Sequence, residues 1–106
     1  MVSLMVGFSA TNLNIGSDWL DTQTLHNQDE FHVFMQRFPA VKLVLSGHVH
    51  QEVDVIRQNI RYIATPSTSI QFVPKSRDFA LDSKGPGWRY FSFSKDGSID
   101  TVVCRL

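Results

Sequence analysis

Apolar and polar positions along this chain change period several times, and each change predicts an element. Phe31, Phe34, Met35 and Phe38 recur at i, i+3, i+4 and i+7, the spacing of one helical face. Asn27 with Glu30 three residues later reads as an N-cap with its capping-box partner, and Pro39 ends the helix. The aromatic stripe is read as core packing. His26 and His32 do not share a helical face and are read as surface residues. A shorter turn or helix is expected at Trp19-Leu20-Asp21, with Asp18 as its cap and Trp19 as a packing anchor.

Elsewhere the pattern is that of strands. Val2 to Phe8 predicts a first one, and the run from Val41 to Leu45 predicts a buried strand that stops at Ser46. Val53-Asp54-Val55-Ile56 and Ile60 to Ala64 form a hairpin across Gln58-Asn59, since asparagine tolerates positive φ. Ile70 to Val73 predicts another strand. Trp88 to Ser94 and Ser98 to Arg105, joined at Asp96-Gly97, predict a second hairpin. Pro74 to Gly87, rich in charge, glycine and proline, reads as a loop. So does Thr65-Pro66-Ser67-Thr68-Ser69, whose hydroxyls either face a phosphate or satisfy the local backbone. Strand, helix, strand and then antiparallel hairpins make an α/β (α+β) layered fold with a mixed sheet and one main helix.

Directly after the Val41–Ser46 run comes Gly47-His48-Val49-His50. Gly47 permits a sharp turn or a close approach. An extended backbone beyond it would place His48 and His50 on one face. Two neutral imidazoles at a strand end are donors for a divalent ion, and functional groups in α/β proteins gather at strand C-termini. Two exposed or hydrogen-bonded histidines are the plainer reading.

Gly47-His48-Val49-His50 resembles the Gly-His-x-His signature of the calcineurin-like metallophosphoesterases. In the same order, Gly16-Ser17-Asp18-Trp19-Leu20-Asp21, Phe38-Pro39 through Gln51-Glu52, Ala64-Thr65-Pro66-Ser67-Thr68 and Gly85-Pro86-Gly87-Trp88-Arg89 are similar to the C-terminal part of bacterial class III 3',5'-cyclic-AMP phosphodiesterases. The resemblance runs from about Gly16 to Leu106. It implies the C-terminal portion of an αββα sandwich: residues 1–106 as a single partial domain, with 1–15 divergent and the other half supplied by sequence outside this chain. It also implies hydrolysis of a cyclic nucleotide at two divalent ions (Fe, Mn, Zn or Mg), which activate water and neutralise charge on the phosphate. By the same resemblance, His48 is a ligand to one ion and His50 to the other. Gly47, Glu52 and Thr65 stand at the pocket rim or behind the imidazoles, with Asp54 a further candidate for holding a ring, although for Glu52 and Asp54 a solvated carboxylate is the plainer reading. The Asp-x-His, Gly-Asp-x-x-Asp and Gly-Asn-His-Asp motifs that supply most of the family's ligands do not occur in the sequence, and Ser9-Ala10-Thr11-Asn12 stands where a histidine motif is expected. The chain alone is therefore expected to be inactive, with no metal bound by itself. A metallophosphoesterase acting on another phosphoester, and a non-catalytic structural or interaction domain, are the alternatives.

Composition narrows the class. With 42% hydrophobic and 19% charged residues, the chain falls in the ordinary range for a soluble globular protein. A formal net charge of zero, and no basic cluster interleaved with aromatics, argue against a nucleic-acid partner. No apolar run approaches the roughly 20 residues that span a bilayer, and Met1 to Phe8 lacks the positive flank of a signal peptide, so no membrane partner is expected. The single cysteine, Cys104, cannot form an internal disulfide, which places the chain most simply in a reducing cytoplasm. Half a sandwich would leave a sheet face uncovered, so a homo-oligomer is expected, a dimer formed by exchange of strands or sheets.

Overall fold

The computed structural model describes residues 4–8 and 13–106. The order is β1 (Leu4–Phe8), α1 (Asp18–Asp21), α2 (Gln28–Met35), β2 (Val41–Ser46), β3 (Val53–Arg57), β4 (Ile60–Ala64), β5 (Gln71–Phe72), β6 (Leu81–Asp82), β7 (Gly87–Phe93) and β8 (Ile99–Arg105). Four strands form a mixed sheet in the order β1-β2-β4-β3, while β5-β6 and β7-β8 are separate antiparallel pairs. Val2 and Ser3, and the Ser9–Asn12 stretch, lie outside the described residues.

The parallel strands share one end. Phe8 pairs with Ser46 and Ser46 with Ala64, and antiparallel β3 begins there too, with Val53 opposite Ala64. Everything that follows β2 and β4 in sequence therefore leaves from a single sheet edge. β2 lies between two neighbours and is buried at Val41, Leu43, Val44 and Ser46, as a strand covered on both faces must be. One face packs under α2, where Met35, Val41, Val44, Ile60 and Tyr62 form a core joined by Leu13 and Phe31. On the other face, in register with Leu43, Arg61 reaches the Ile99 carbonyl at 2.6 Å, which ties β8 over the sheet. Arg89 of β7 likewise donates to the Ala64 carbonyl at 3.3 Å.

The Gln58-Asn59 hairpin holds, with φ of 49° and 68° at the two turn residues, as does the turn at Gly97, with φ of 89°. The helix differs from its pattern. Asn27 occupies the N-cap position but makes no side-chain cap bond, and regular helix ends at Met35, before Phe38. The buried face runs through Phe31, His32 and Met35, while Phe34 and Phe38 are exposed. His32 is buried because its Nδ1 lies 2.9 Å from the Tyr62 hydroxyl and its ring packs edge-on between Phe31 and Tyr62. A hydrogen-bonding partner inside the core thus outweighs the larger apolar surface of Phe34. Burial also pushes the Tyr62 phenol above its ordinary pKa, so the hydroxyl stays neutral beside His32. At α1 the N-cap is Ser17 rather than Asp18. Within Pro74–Gly87 the chain forms β6, and Gly87 already belongs to β7.

Candidate functional site

The shared sheet edge carries the sequence's candidate residues. Ser46 is buried at the end of β2, and its carbonyl accepts a hydrogen bond from the Thr65 amide at 3.2 Å, which joins the two strand ends. Gly47 is half-buried, and a Cβ there would meet nothing within 4 Å. The close approach and sharp turn expected of the glycine are absent. The turn is made by the histidines instead, with φ of 79° at His48 and 51° at His50. Both stand in the left-handed region, so the backbone is not extended and the alternating-face rule does not relate the two rings. Val49 between them is buried against Leu20 and Ala64, which anchors the turn. Left-handed non-glycine residues cost about 1–3 kcal/mol each and gather at functional sites, where the surrounding packing over-determines them.

The two histidines have different environments. His48 is exposed, with no side-chain hydrogen bond among the described residues. His50 is partly buried, its Nδ1 lies 2.9 Å from the Ile70 carbonyl, and its ring stacks on Phe72 at 4.2 Å with planes 4° apart. A carbonyl oxygen only accepts, so the neutral ring carries its proton on Nδ1 and keeps the Nε2 lone pair for another partner. That is how a metal-binding imidazole is commonly held.

The carboxylates proposed to hold the imidazoles are engaged elsewhere. Glu52 pairs with Arg105 at 2.6 Å, and Asp54 accepts from Arg61 Nε and Nη2 at 2.8 and 2.6 Å. Guanidinium groups within reach capture both, and the Ile70 backbone does the work for His50. Glu52 still shares with His50, Phe72, Asp82, Lys84 and Arg105 the lining of a cleft of about 210 Å³, so its place is at the rim. The Thr65–Ser69 loop satisfies its own backbone: the Ser67 hydroxyl accepts from the Ser69 amide, and the Ser67 amide donates to the Gln71 side chain. Trp19 packs edge-on against Phe72 and Phe79, the anchor role expected of it.

Phe72, Gln71 and the Ile70 carbonyl are the parts of this site that the sequence pattern did not single out. The strand pattern over Ile70 to Val73 does not mark them as site residues, since Ile70 and Phe72 meet His50 about 20 residues away, Phe72 meets Trp19 some 50 residues away, and Gln71 reaches back to Ser67 and on to Gly85.

The hydrogen bond from Arg61, assisted by its charge and opposed by burial, holds the Asp54 carboxyl below its ordinary range. A depressed carboxylate stabilises the fold above the unfolded pKa, and that contribution is lost as pH falls through the folded value. The Asp54 side chain is 39% exposed, so solvent screening keeps the pair below about 1 kcal/mol. Asp54→Asn is thus expected to lower the urea midpoint slightly at neutral pH and to match the parent in strong acid. An equal deficit at both pH values would mean that the ion pair is not its source.

Two imidazoles do not complete a metal centre. Among the described residues, no group of three or more His, Cys, Asp or Glu side chains is gathered to hold an ion. The donors present fit part of a metal site: an imidazole held at Nδ1, an exposed one two residues before it in the chain, and open space at Gly47.

No family model matches the chain. It is homologous to curated cyclic-nucleotide enzymes: 50% identical over 94 residues to the 3',5'-cyclic adenosine monophosphate phosphodiesterase CpdA of Vibrio vulnificus, and 44% identical over 94 residues to that of Escherichia coli K12. The corresponding protein of Pseudomonas aeruginosa is 39% identical over 103 residues. These matches take in 89%, 89% and 97% of this chain but only 34%, 34% and 38% of the relatives, so the chain spans about a third of their length.

Proposed function

We propose, on the premise of homology with bacterial 3',5'-cyclic-AMP phosphodiesterases over nine-tenths of the chain, that these residues form the C-terminal part of a metal-dependent cyclic-nucleotide phosphodiesterase. The observation that carries this reading is the strained His48–His50 turn at the shared strand edge, with His50 fixed so that Nε2 is free. His48 and His50 would each hold one of two divalent ions, and such ions would supply an activated water and charge neutralisation at the phosphodiester. Gly47, Thr65 and Glu52 shape the rim: Gly47 leaves space, Thr65 ties the strand ends, and Glu52 with Arg105 borders the cleft beside His50.

Among the described residues no donor group is gathered for that centre, so on this reading turnover requires the part of the relatives that the chain does not span. The sheet with α2 on one face and the β7–β8 hairpin on the other is then one portion of the larger αββα sandwich. A dimer is the way the isolated chain would cover its exposed apolar residues, Tyr90 and Val102 of the hairpin among them.

The test compares this chain with the same sequence joined to the N-terminal two-thirds of the Vibrio relative. Elemental analysis after dialysis and cyclic-AMP hydrolysis with added manganese are the readouts. The joined protein is expected to retain metal and turn over, and to lose both on His48→Ala with His50→Ala. Undiminished metal and turnover in the doubly substituted protein would remove the histidines from the site. Faster turnover of p-nitrophenyl phosphate than of cyclic AMP would move the assignment to another phosphoester.

A further inference from the structure

The Ile70–Phe72 tripeptide meets His50 at three places. The Ile70 carbonyl accepts a hydrogen bond from Nδ1, the Phe72 amide donates to the His50 carbonyl at 3.3 Å, and the Phe72 ring lies flat against the imidazole. Phe72 is itself wedged: Trp19 meets it edge-on at 4.9 Å and Phe79 at 5.5 Å. Gln71 points the other way and is 1% exposed, and its amide bonds the Ser67 backbone at both the amide and the carbonyl. A two-residue strand is too short to hold itself in place. Aromatic wedging on one side and the Gln71 amide on the other explain why this one is ordered.

From this arrangement we propose that Phe72 is the positioning residue for His50: its ring fixes the imidazole plane so that Nδ1 stays on the Ile70 carbonyl and Nε2 stays free for a ligand. Rotation of the imidazole about its outer side-chain bond would break the Nδ1 bond, and the stacked Phe72 ring opposes that rotation over the whole ring face. Without the ring, His50 reverts to the mixture that neutral imidazole adopts in water, in which Nε2 carries the proton most of the time. A proton on Nε2 blocks ligation through that atom. The use made of the free Nε2 rests on the metal-ligand reading above; the positioning itself does not.

Long-range proton–nitrogen NMR of the imidazole rings, with all histidines in the neutral form, reads the tautomer directly. In the parent chain, His50 is expected to carry its proton on Nδ1 alone. Phe72→Leu keeps an apolar side chain against Trp19 and is expected to make the Nε2-protonated form the major one, with the His32 signals unmoved. Phe72→Tyr, which keeps the ring, is expected to restore the parental pattern. A Phe72→Leu spectrum identical with the parent would overturn the proposal, as would a parent already protonated on Nε2. Should Phe72→Leu fail to fold, Phe72→Met is judged by the same signals. Zinc titration of the parent separates the two readings: His50 signals unmoved by zinc would remove the ligand assignment and leave the positioning intact. If zinc binds, Phe72→Leu is expected to weaken it about 10- to 100-fold, the size seen when a ligand's supporting partner is lost.

Discussion

Replacing Tyr62 with alanine is expected to destabilise the fold by about 3–5 kcal/mol, the range for deleting a buried aromatic ring. Tyr62 is the largest fully buried side chain, 1% exposed, on a strand flanked by β2 and β3. It packs with Met35, Val41, Val44 and Ile60, so the cavity would open between α2 and the sheet. Its hydroxyl also meets His32 Nδ1 at 2.9 Å, and that bond goes with the ring. Natural domains hold only about 5–15 kcal/mol in total, so the variant sits near the edge of folding. With a urea slope of about 1–3 kcal/mol per molar, the midpoint falls by roughly 1 M or more. Tyr62→Phe separates the two contributions. It keeps the ring and is expected to cost about 0.5–1.5 kcal/mol, the net worth of one hydrogen bond. Equal midpoints for Tyr62→Ala and Tyr62→Phe would mean that the α2 face is not part of the cooperative core.

The same pair marks where the sequence is legible and where it is not. Periods and turn residues predict β2, β3, β4, β7 and β8 to within a residue or two, because each strand's signal is local: a run of apolar residues, an alternation, an asparagine or glycine that accepts positive φ. The helix is legible as a helix but not in its rotation. Phe34 outranks His32 by hydrophobicity, and only a tyrosine thirty residues away reverses the order. β6 falls inside a stretch read as loop and leaves no periodic trace, while the strand expected at Ile70 to Val73 is present but reduced to the two residues of β5 that pair with β6. At the site, the motif locates His48 and His50 correctly at the strand end. Their backbone conformation is not in the pattern: the positive φ values are imposed by the burial of Val49 and the hold on His50, both built from distant residues. The expected supports, Glu52 and Asp54, are close in sequence but are taken by arginines brought in by the fold.

Gln71→Met is expected to cost about 1–3 kcal/mol, the penalty for leaving a buried polar group without its partner, even though it preserves the length of the side chain. Gln71 accepts from the Ser67 amide at 2.9 Å and donates to the Ser67 carbonyl at 2.6 Å and the Gly85 carbonyl at 3.2 Å. The two carbonyls keep other donors: the Gly87 amide at 2.8 Å for Ser67, and Arg105 at 3.0 Å for Gly85. The Ser67 amide loses its acceptor. Since Ser67 is only half-buried, water replaces part of what is lost, which places the cost in the lower half of the range. The effect is also local. Gln71 joins the loop after β4 to the loop before β7, so amide exchange should quicken at Ser67, Ser69 and Gly87 while the α2 amides keep their protection. Exchange rates unchanged at all three would show that the loops are held without the glutamine. Ile70, whose carbonyl accepts the hydrogen bond from His50 Nδ1, is the residue immediately before Gln71. A lock made for the backbone therefore also sets where the imidazole finds its acceptor, and the stability of the loop and the geometry of the strand-end histidine depend on the same buried amide.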